Sequence, residues 1–517
     1  MNNSINAPIF LLLFCCSICL QSFAQEITPV REFRGAWVAT VVNIDFPSVP
    51  GLKQEQLATE WSSTLDFLKG SGMNAVFLQI RPTGDAFYPS KLAPWSKYLT
   101  GGSGKAPIDN YDPLKMMLDA AHERNLEFHA WLNPYRASMD TLVETLGEKH
   151  PYHSHPEWFI KYGGKLYFNP ALPEVRNYIT EVVLEIIMEY DVDGIHFDDY
   201  FYPYPAAGEL FPDSEDFTKY GYGYLSIDDW RRSNVNALIS QVNDMIKTVS
   251  PHVKFGVSPF GVWRNASVDP NGSLTQASVS AYDNLYADIL LWLERGWIDY
   301  VAPQIYWNVG FQLANYETLL EWWQKHTYDR QLYMGLAVYK VGTNSELAWK
   351  KSNQIPLQIS MNRMVPNVHG NILYNTNALK KNLLGVTDSL RFHYFKNPAI
   401  WPEMPYLNLD APPTPKLDKI KYKKGKLLMK CTLPKEAHYL VVYRFEDRLP
   451  GDYKNPENLH QIVRLDGRTS VTIEDSSPQS GKTYTYSVSA ANRQHTESLL
   501  SEWRAVEVKE KKVKRIK

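Results

Sequence analysis

The chain has 517 residues, 44% apolar and 21% charged, which excludes a disordered polymer and leaves ample length for a large core. Its 54 basic and 56 acidic residues give a net charge of −2, so the basic footprint of a nucleic-acid binder is missing. Aromatic residues are numerous, with 15 Trp, 32 Tyr and 21 Phe, enough for a large core and for a surface lined with flat rings.

The first element is an apolar run, residues 9–20, too short to span a bilayer. Small residues Ser22 and Ala24 follow it, so residues 1–24 read as a signal peptide cut after Ala24, although no Lys or Arg precedes the run. The mature protein is therefore expected in the periplasm or outside the cell. Lipoprotein anchoring through Cys15 or Cys19 is the weaker alternative, because the bulky Phe14 and Ile18 precede those cysteines. No later stretch is long enough for an integral membrane span. Removal of the signal leaves Cys431 alone, which excludes an internal disulfide and a cysteine-based zinc site.

From Arg34 to about Phe395, strand-like and helix-like runs alternate eight times. The strands are expected at 34–40, 74–80, 126–133, 193–199, 254–260, 299–307, 332–339 and 370–375. They lack clean apolar/polar alternation, as strands buried on both faces do. Between them, Val175, Tyr178, Ile179, Val182, Val183, Ile186 and Ile187 have helical spacing, with Pro173 suited to the first turn. Eight βα units imply an α/β fold, a (β/α)8 TIM barrel over residues 29–400. Loops 81–111, 134–171 and 201–227 all follow strand C-termini, the end where barrels place active sites. Residues 401–416 hold five prolines and read as a linker. Residues 417–508 read as a small β-sandwich of short strands, and the basic 509–517 as a solvated tail.

Asp198 and Asp199 stand together at the end of the fourth strand, in Asp193–Pro203. Two adjacent carboxylates in an apolar strand are costly to bury unless they are used or paired. Neighbours on a regular strand point oppositely, so both reach the cleft only if the strand ends or bulges there. Other strand ends bring Arg81, His129, Trp131, Asn133, Tyr135, Arg136, Tyr200, Trp263, Gln304, Tyr306 and Trp307, whose polar groups can bond sugar hydroxyls and whose rings can stack on sugar faces. His129 and His196 beside Asp198 match no strong metal signature. No esterase elbow, phosphate loop or His-Glu-x-x-His motif occurs, and no metal or cofactor is expected.

Five segments in order carry a family resemblance: EFRGAWVATVVNIDFPS, FLQIRPTGDAFYPS, FHAWLNPYR, VDGIHFDDYFYP and DYVAPQIYW. Together, over roughly residues 29–395, they resemble the glycosyl hydrolase-like 10 family of bacterial envelope proteins. The resemblance implies glycosidic-bond hydrolysis on a barrel, with some relatives associated with peptide-free peptidoglycan strands. The C-terminal part resembles a fibronectin type III domain. The fourth-strand motif is also similar to distant N-acetylhexosaminidases and chitinases. That likeness implies that Asp198 orients a substrate acetamide, Asp199 is the general acid and Tyr306 holds the acetamide. Tyr200 stands where chitinases carry their catalytic Glu. Ordinary retention is the other mechanism, with Asp198 as nucleophile and a carboxylate such as Asp45 or Asp85 as acid. A glycan-binding protein without turnover is the rival class, and metal-dependent deacetylation a third.

Overall fold

A computed structural model describes residues 28–407, 410–510 and 512–516. The expected signal peptide, residues 1–24, lies outside the described residues. Eight parallel strands close into a barrel in sequential order: β1 Phe33–Val38, β2 Ala75–Arg81, β3 Glu127–Leu132, β4 Gly194–Phe197, β5 Lys254–Val257, β6 Tyr300–Val301, β7 Gln331–Ala337 and β8 Gly370–Tyr374. Every residue of β1 to β7 is buried, as their unalternating sequences require.

Two strands are shorter than their apolar runs. The sixth stops after Val301 because Pro303 has no N–H for the ladder. Gln304 beyond it still bridges Phe260 and Gly335, which keeps that residue at the barrel mouth. The fourth stops at Phe197, so the two aspartates that follow are released from strand alternation.

Aromatic rings fill the barrel interior. Phe33 stacks on Tyr333 with centroids 4.0 Å apart, and Phe77 on His129 at 4.4 Å. Glycine makes room where two rings press on the backbone. A Cβ on Gly194 would stand 2.4 Å from His129 Nδ1, and one on Gly256 would stand 2.1 Å from the Tyr300 ring. The helix Pro173–Glu189 buries all seven residues whose spacing announced it.

The long loops are structured. A small antiparallel sheet of Arg136–Ser138, Phe159–Tyr162 and Lys165–Phe168 rises after β3, and the helix Ser214–Tyr220 after β4.

The C-terminal part has two antiparallel sheets. One orders β9 Lys416–Lys423, β10 Lys426–Thr432 and β13 Ser470–Asp475. The other orders β12 Leu459–Arg464, β11 Tyr439–Phe445, β14 Thr483–Ala491, β15 Arg504–Lys509 and β16 Lys512–Ile516. The last strand corrects the expectation of a solvated tail. Val513 pairs with Val508 and packs on the sandwich core, while the alternate lysines face outward. The proline-rich stretch 401–416 is also partly packed: Trp401 is buried and its Nε1 donates to the Asn74 carbonyl at 3.0 Å.

The sandwich covers the N-terminal end of the barrel. Its Arg464 donates to Asp193 at 2.8 Å and to Asp191 at 3.0 Å. Its His495 lies 2.6 Å from Glu127, which also receives Lys254 at 2.7 Å. Burial works to raise the Glu127 and Asp193 carboxyls. The charges facing them, Lys254 and His495 for one and Arg464 and His122 for the other, outweigh it and hold both well below the usual range.

Candidate active site

Asp198 and Asp199 lie at the opposite, C-terminal end of the barrel, in a cavity of about 350 Å3. An ordered chain of amides holds the first. Gln79 Oε1 accepts the Thr40 and Val41 N–H groups at 3.0 and 2.9 Å. Its Nε2 must therefore face the other way, and it donates to Asn133 Oδ1 at 2.6 Å. Asn133 Oδ1 also accepts Arg136 Nη2 at 2.8 Å, which leaves Asn133 Nδ2 to donate to Asp198 Oδ2 at 2.9 Å. Gln304 Nε2 and the Asp199 backbone N–H donate to the other oxygen, Asp198 Oδ1, at 3.3 and 2.9 Å. The three donors that reach Asp198 itself are neutral.

Asp199 accepts the Tyr204 hydroxyl. It is 4% exposed, and burial, reinforced by the charge of Asp198, pushes its carboxyl well above the usual range. No Lys or Arg among the described residues pairs with either aspartate. The two neighbours are thus unequal: one carboxylate surrounded by donors, and one carboxyl inclined to keep its proton. A site of this kind can protonate a leaving oxygen near neutral pH and orient or stabilise a cationic centre beside it.

Trp37, Trp131, Tyr200, Tyr306 and Tyr374 give the cavity aromatic walls. Tyr306 and Tyr374 stack with centroids 5.9 Å apart, and Tyr339 meets them edge-on. Trp131 Nε1 is buried without a partner among the described residues. Arg136 sits with its guanidinium 5.0 Å from the centre of the Tyr200 ring.

Of the residues proposed from sequence to touch substrate, the cavity gathers Trp131, Arg136, Tyr200, Gln304 and Tyr306 around the aspartates. Asn133 stands one layer beneath, acting through Asp198. The others are elsewhere. Arg81 is buried between the rings of Phe168 and Tyr178, under the loop sheet. Tyr135 is buried in the core, Trp263 stacks on Trp322 at 5.7 Å, and Trp307 packs edge-on against Phe260. Each is an aromatic or long side chain whose loop turns it into apolar packing, which the sequence position alone did not distinguish from the rim.

His129 is deep in the barrel, in a chain of hydrogen bonds along its axis. Trp37 Nε1 donates to His196 Nε2 at 3.2 Å, so His196 Nδ1 carries the proton towards Tyr300 at 3.1 Å. Tyr300 then meets His129 Nδ1 at 3.0 Å, and His129 Nε2 reaches Glu127 at 3.2 Å. Burial, followed by the neighbouring His129, holds His196 well below its ordinary range, so it is neutral.

The suggested alternative acids are also committed elsewhere. Asp45 accepts the Ala39 and Asn377 N–H groups at 2.9 and 2.8 Å, and burial lifts it to about 6. Asp85 accepts the Thr83 N–H at 3.1 Å. Neither lines the cavity. Sequence reading passed over Trp37, Tyr204, Tyr374 and Lys165. The first and third end barrel strands, a positional signal that was available; Tyr204 lies just beyond the aspartate motif; Lys165 had none, because a hairpin inside a loop delivers it.

A family model described as glycosyl hydrolase-like 10 matches residues 32–351. The chain is 45% identical to "Glycosyl hydrolase YngK" of Bacillus subtilis over 91% of this chain and 92% of that one. It is 41% identical to "Glycosyl hydrolase DigH" of Escherichia coli K12 over 68% of this chain and 84% of that one. Among solved structures, the glycoside hydrolase domain of PgaB (BpsB) from Bordetella bronchiseptica is similar at a TM-score of 0.46 and 14% identity, covering 70% of this chain and 98% of that domain.

Proposed function

The chain belongs to the glycosyl hydrolase-like 10 family, and on that premise we propose that it is an exported glycoside hydrolase cleaving an N-acetylated bacterial cell-wall glycan, with peptide-free peptidoglycan strands as the leading substrate. The observation that carries the reading is the unequal carboxyl pair of Asp198 and Asp199 on the floor of an aromatic cavity.

In this mechanism Asp199 gives its proton to the glycosidic oxygen as the bond to the anomeric carbon breaks. The acetamide oxygen of the same sugar closes on that carbon, and Asp198 accepts the acetamide N–H and steadies the positive charge. Asp199, now ionised, takes a proton from water as the water opens the ring, which restores both groups. Tyr306 would hold the acetamide, and the tyrosine wall would support the sugar faces. The residues for the step are all this chain's own, and no metal or cofactor takes part in it.

The two-sheet strand order supports a fibronectin type III-like reading of the C-terminal sandwich, used as a support for the barrel. The apolar run 9–20 supports export; no helix among the described residues is long and apolar enough to cross a membrane.

The test is to incubate the mature protein and Asp199→Asn with peptide-stripped peptidoglycan and with chitin oligosaccharides, and to read new reducing ends by mass spectrometry. Cleavage by the wild type alone is expected. Binding of these glycans without new ends from the wild type would replace this reading with that of a glycan-binding protein. N-terminal sequencing of protein recovered from cell fractions checks export and cleavage after Ala24.

A further inference from the structure

The cavity holds two cations that its carboxylates do not use. Lys165 begins the second strand of the loop hairpin, opposite Tyr162 and beyond the Gly163–Gly164 turn, and lines the cavity with Asp198 and Asp199. Its ammonium makes no hydrogen bond or ion pair among the described residues. Arg136 comes from the neighbouring strand of the same sheet, where it pairs with Tyr167. Its Nε donates to the Pro82 carbonyl at 2.8 Å and its Nη2 to Asn133, while Nη1 has no partner among the described residues.

The position of Lys165 is built rather than incidental. The Gly163 N–H donates to Glu209 at 2.9 Å, and the Ala206 N–H donates to the Tyr162 hydroxyl at 2.7 Å. The hairpin tip is therefore fastened to the loop that follows the catalytic aspartates. Half-buried, and facing the like charge of Arg136, the lysine is held below its ordinary range by burial first and by that arginine second. Neither aspartate pairs with Lys165 or Arg136: the donors on Asp198 are two side-chain amides and a backbone N–H, and Asp199 is inclined to stay protonated. Two cations held near each other, neither of them in an ion pair among the described residues, are the complement of an anion that arrives with the ligand.

We propose that Lys165 and Arg136 form an anion-recognising subsite beside the catalytic aspartates, and that the glycan taken there carries a free carboxylate on a sugar next to the scissile bond. The inference rests on the glycosidase reading for the location of that bond. Two kinds of sugar supply the group, a lactyl ether on an N-acetylated hexosamine and a uronic acid. In peptidoglycan the lactyl carboxylate is free only after its peptide is removed, so the subsite would select stripped strands over peptide-bearing ones.

The test uses the mature full chain with Asp199→Asn to block turnover, alone and combined with Lys165→Gln or Lys165→Arg. Binding is measured by calorimetry to peptide-free glycan strands, to the same strands with their carboxylates converted to primary amides, and to hyaluronan and chitin tetrasaccharides. Peptide-free strands should bind on the order of tenfold more tightly than the amidated ones. Lys165→Gln should remove that difference by weakening only the carboxylate form, and Lys165→Arg should keep most of it. A hyaluronan preference over chitin would identify the uronate rather than the lactyl group as the source. Equal binding of free and amidated strands, equal weakening of both by Lys165→Gln, or no binding of any carboxylated glycan would overturn the proposal. Turnover is read separately with Asp199 intact. A carboxylate preference without cleavage sinks the hydrolase reading and leaves the subsite, whereas cleavage indifferent to amidation does the reverse.

Discussion

The two ends of the barrel bury carboxyl groups to similar depth and treat them oppositely. At the N-terminal end Glu127 and Asp193 are 1% and 8% exposed, and cations meet both. At the C-terminal end Asp198 and Asp199 are 7% and 4% exposed, and only amides, a phenol and the backbone meet them. Charge compensation drives the first pair down, and its lack, with a like charge adjacent, drives Asp199 up. Burial alone therefore does not decide what a carboxyl does; the charge placed opposite it does. One end is a clamp between domains and the other holds a carboxyl inclined to keep its proton, with the His196–Tyr300–His129 chain between them.

The widest separation of the two ends should be in turnover. Asp198→Asn and Asp199→Asn are each expected to lower kcat by about 10²–10⁴-fold on a cleaved glycan, without loss of the folded state by circular dichroism. The counterpart at the clamp is Arg464→Met, which leaves Asp193 buried without its main partner. It should cost about 3–5 kcal/mol in urea unfolding while kcat of the protein that remains folded is unchanged. A large fall in kcat there would show that the clamp reaches the chemistry through the axial chain.

Acidity sharpens the same contrast. A carboxyl whose native pKa is raised binds its proton more tightly folded than unfolded, so its favourable contribution is full below the unfolded value and lost as pH rises through the native one. Asp199→Asn should therefore be more thermostable than the wild type at neutral pH, by a few degrees, with the gap closing below about pH 4. The wild-type rate should fall along the same alkaline limb as Asp199 ionises. Equal melting curves across that range would contradict the raised pKa.

The smallest effect is expected at His495, which burial, and then Lys254, lower to about 4. A histidine with a depressed native pKa contributes stability that is full above its unfolded value of 6.5 and lost as pH falls from there towards 4. His495→Gln should flatten that part of the stability profile and leave kcat alone. An unchanged slope would place the acid sensitivity of the docked sandwich elsewhere.

Much of this was legible in the chain. The eight alternating units, the helix at Pro173–Glu189, the strand-end aspartates and the motifs of the family are local patterns, and periodicity reports burial directly. The ring of strand ends also marked Trp131, Gln304 and Tyr306 for the cavity. Three of the differences are of one kind. Arg81, Tyr135 and Trp263 sit at or just past strand ends like the others, but their loops fold them into packing.

The order of elements and the residue types at the barrel mouth are written locally, in apolar runs, helical spacing and short motifs. Which charges meet is not written locally. Arg464 lies 271 residues after Asp193, and His495 lies 368 after Glu127. Each meeting depends on how a loop or a whole domain docks, and electrostatic energy depends on distance in space, of which distance along the chain is no measure.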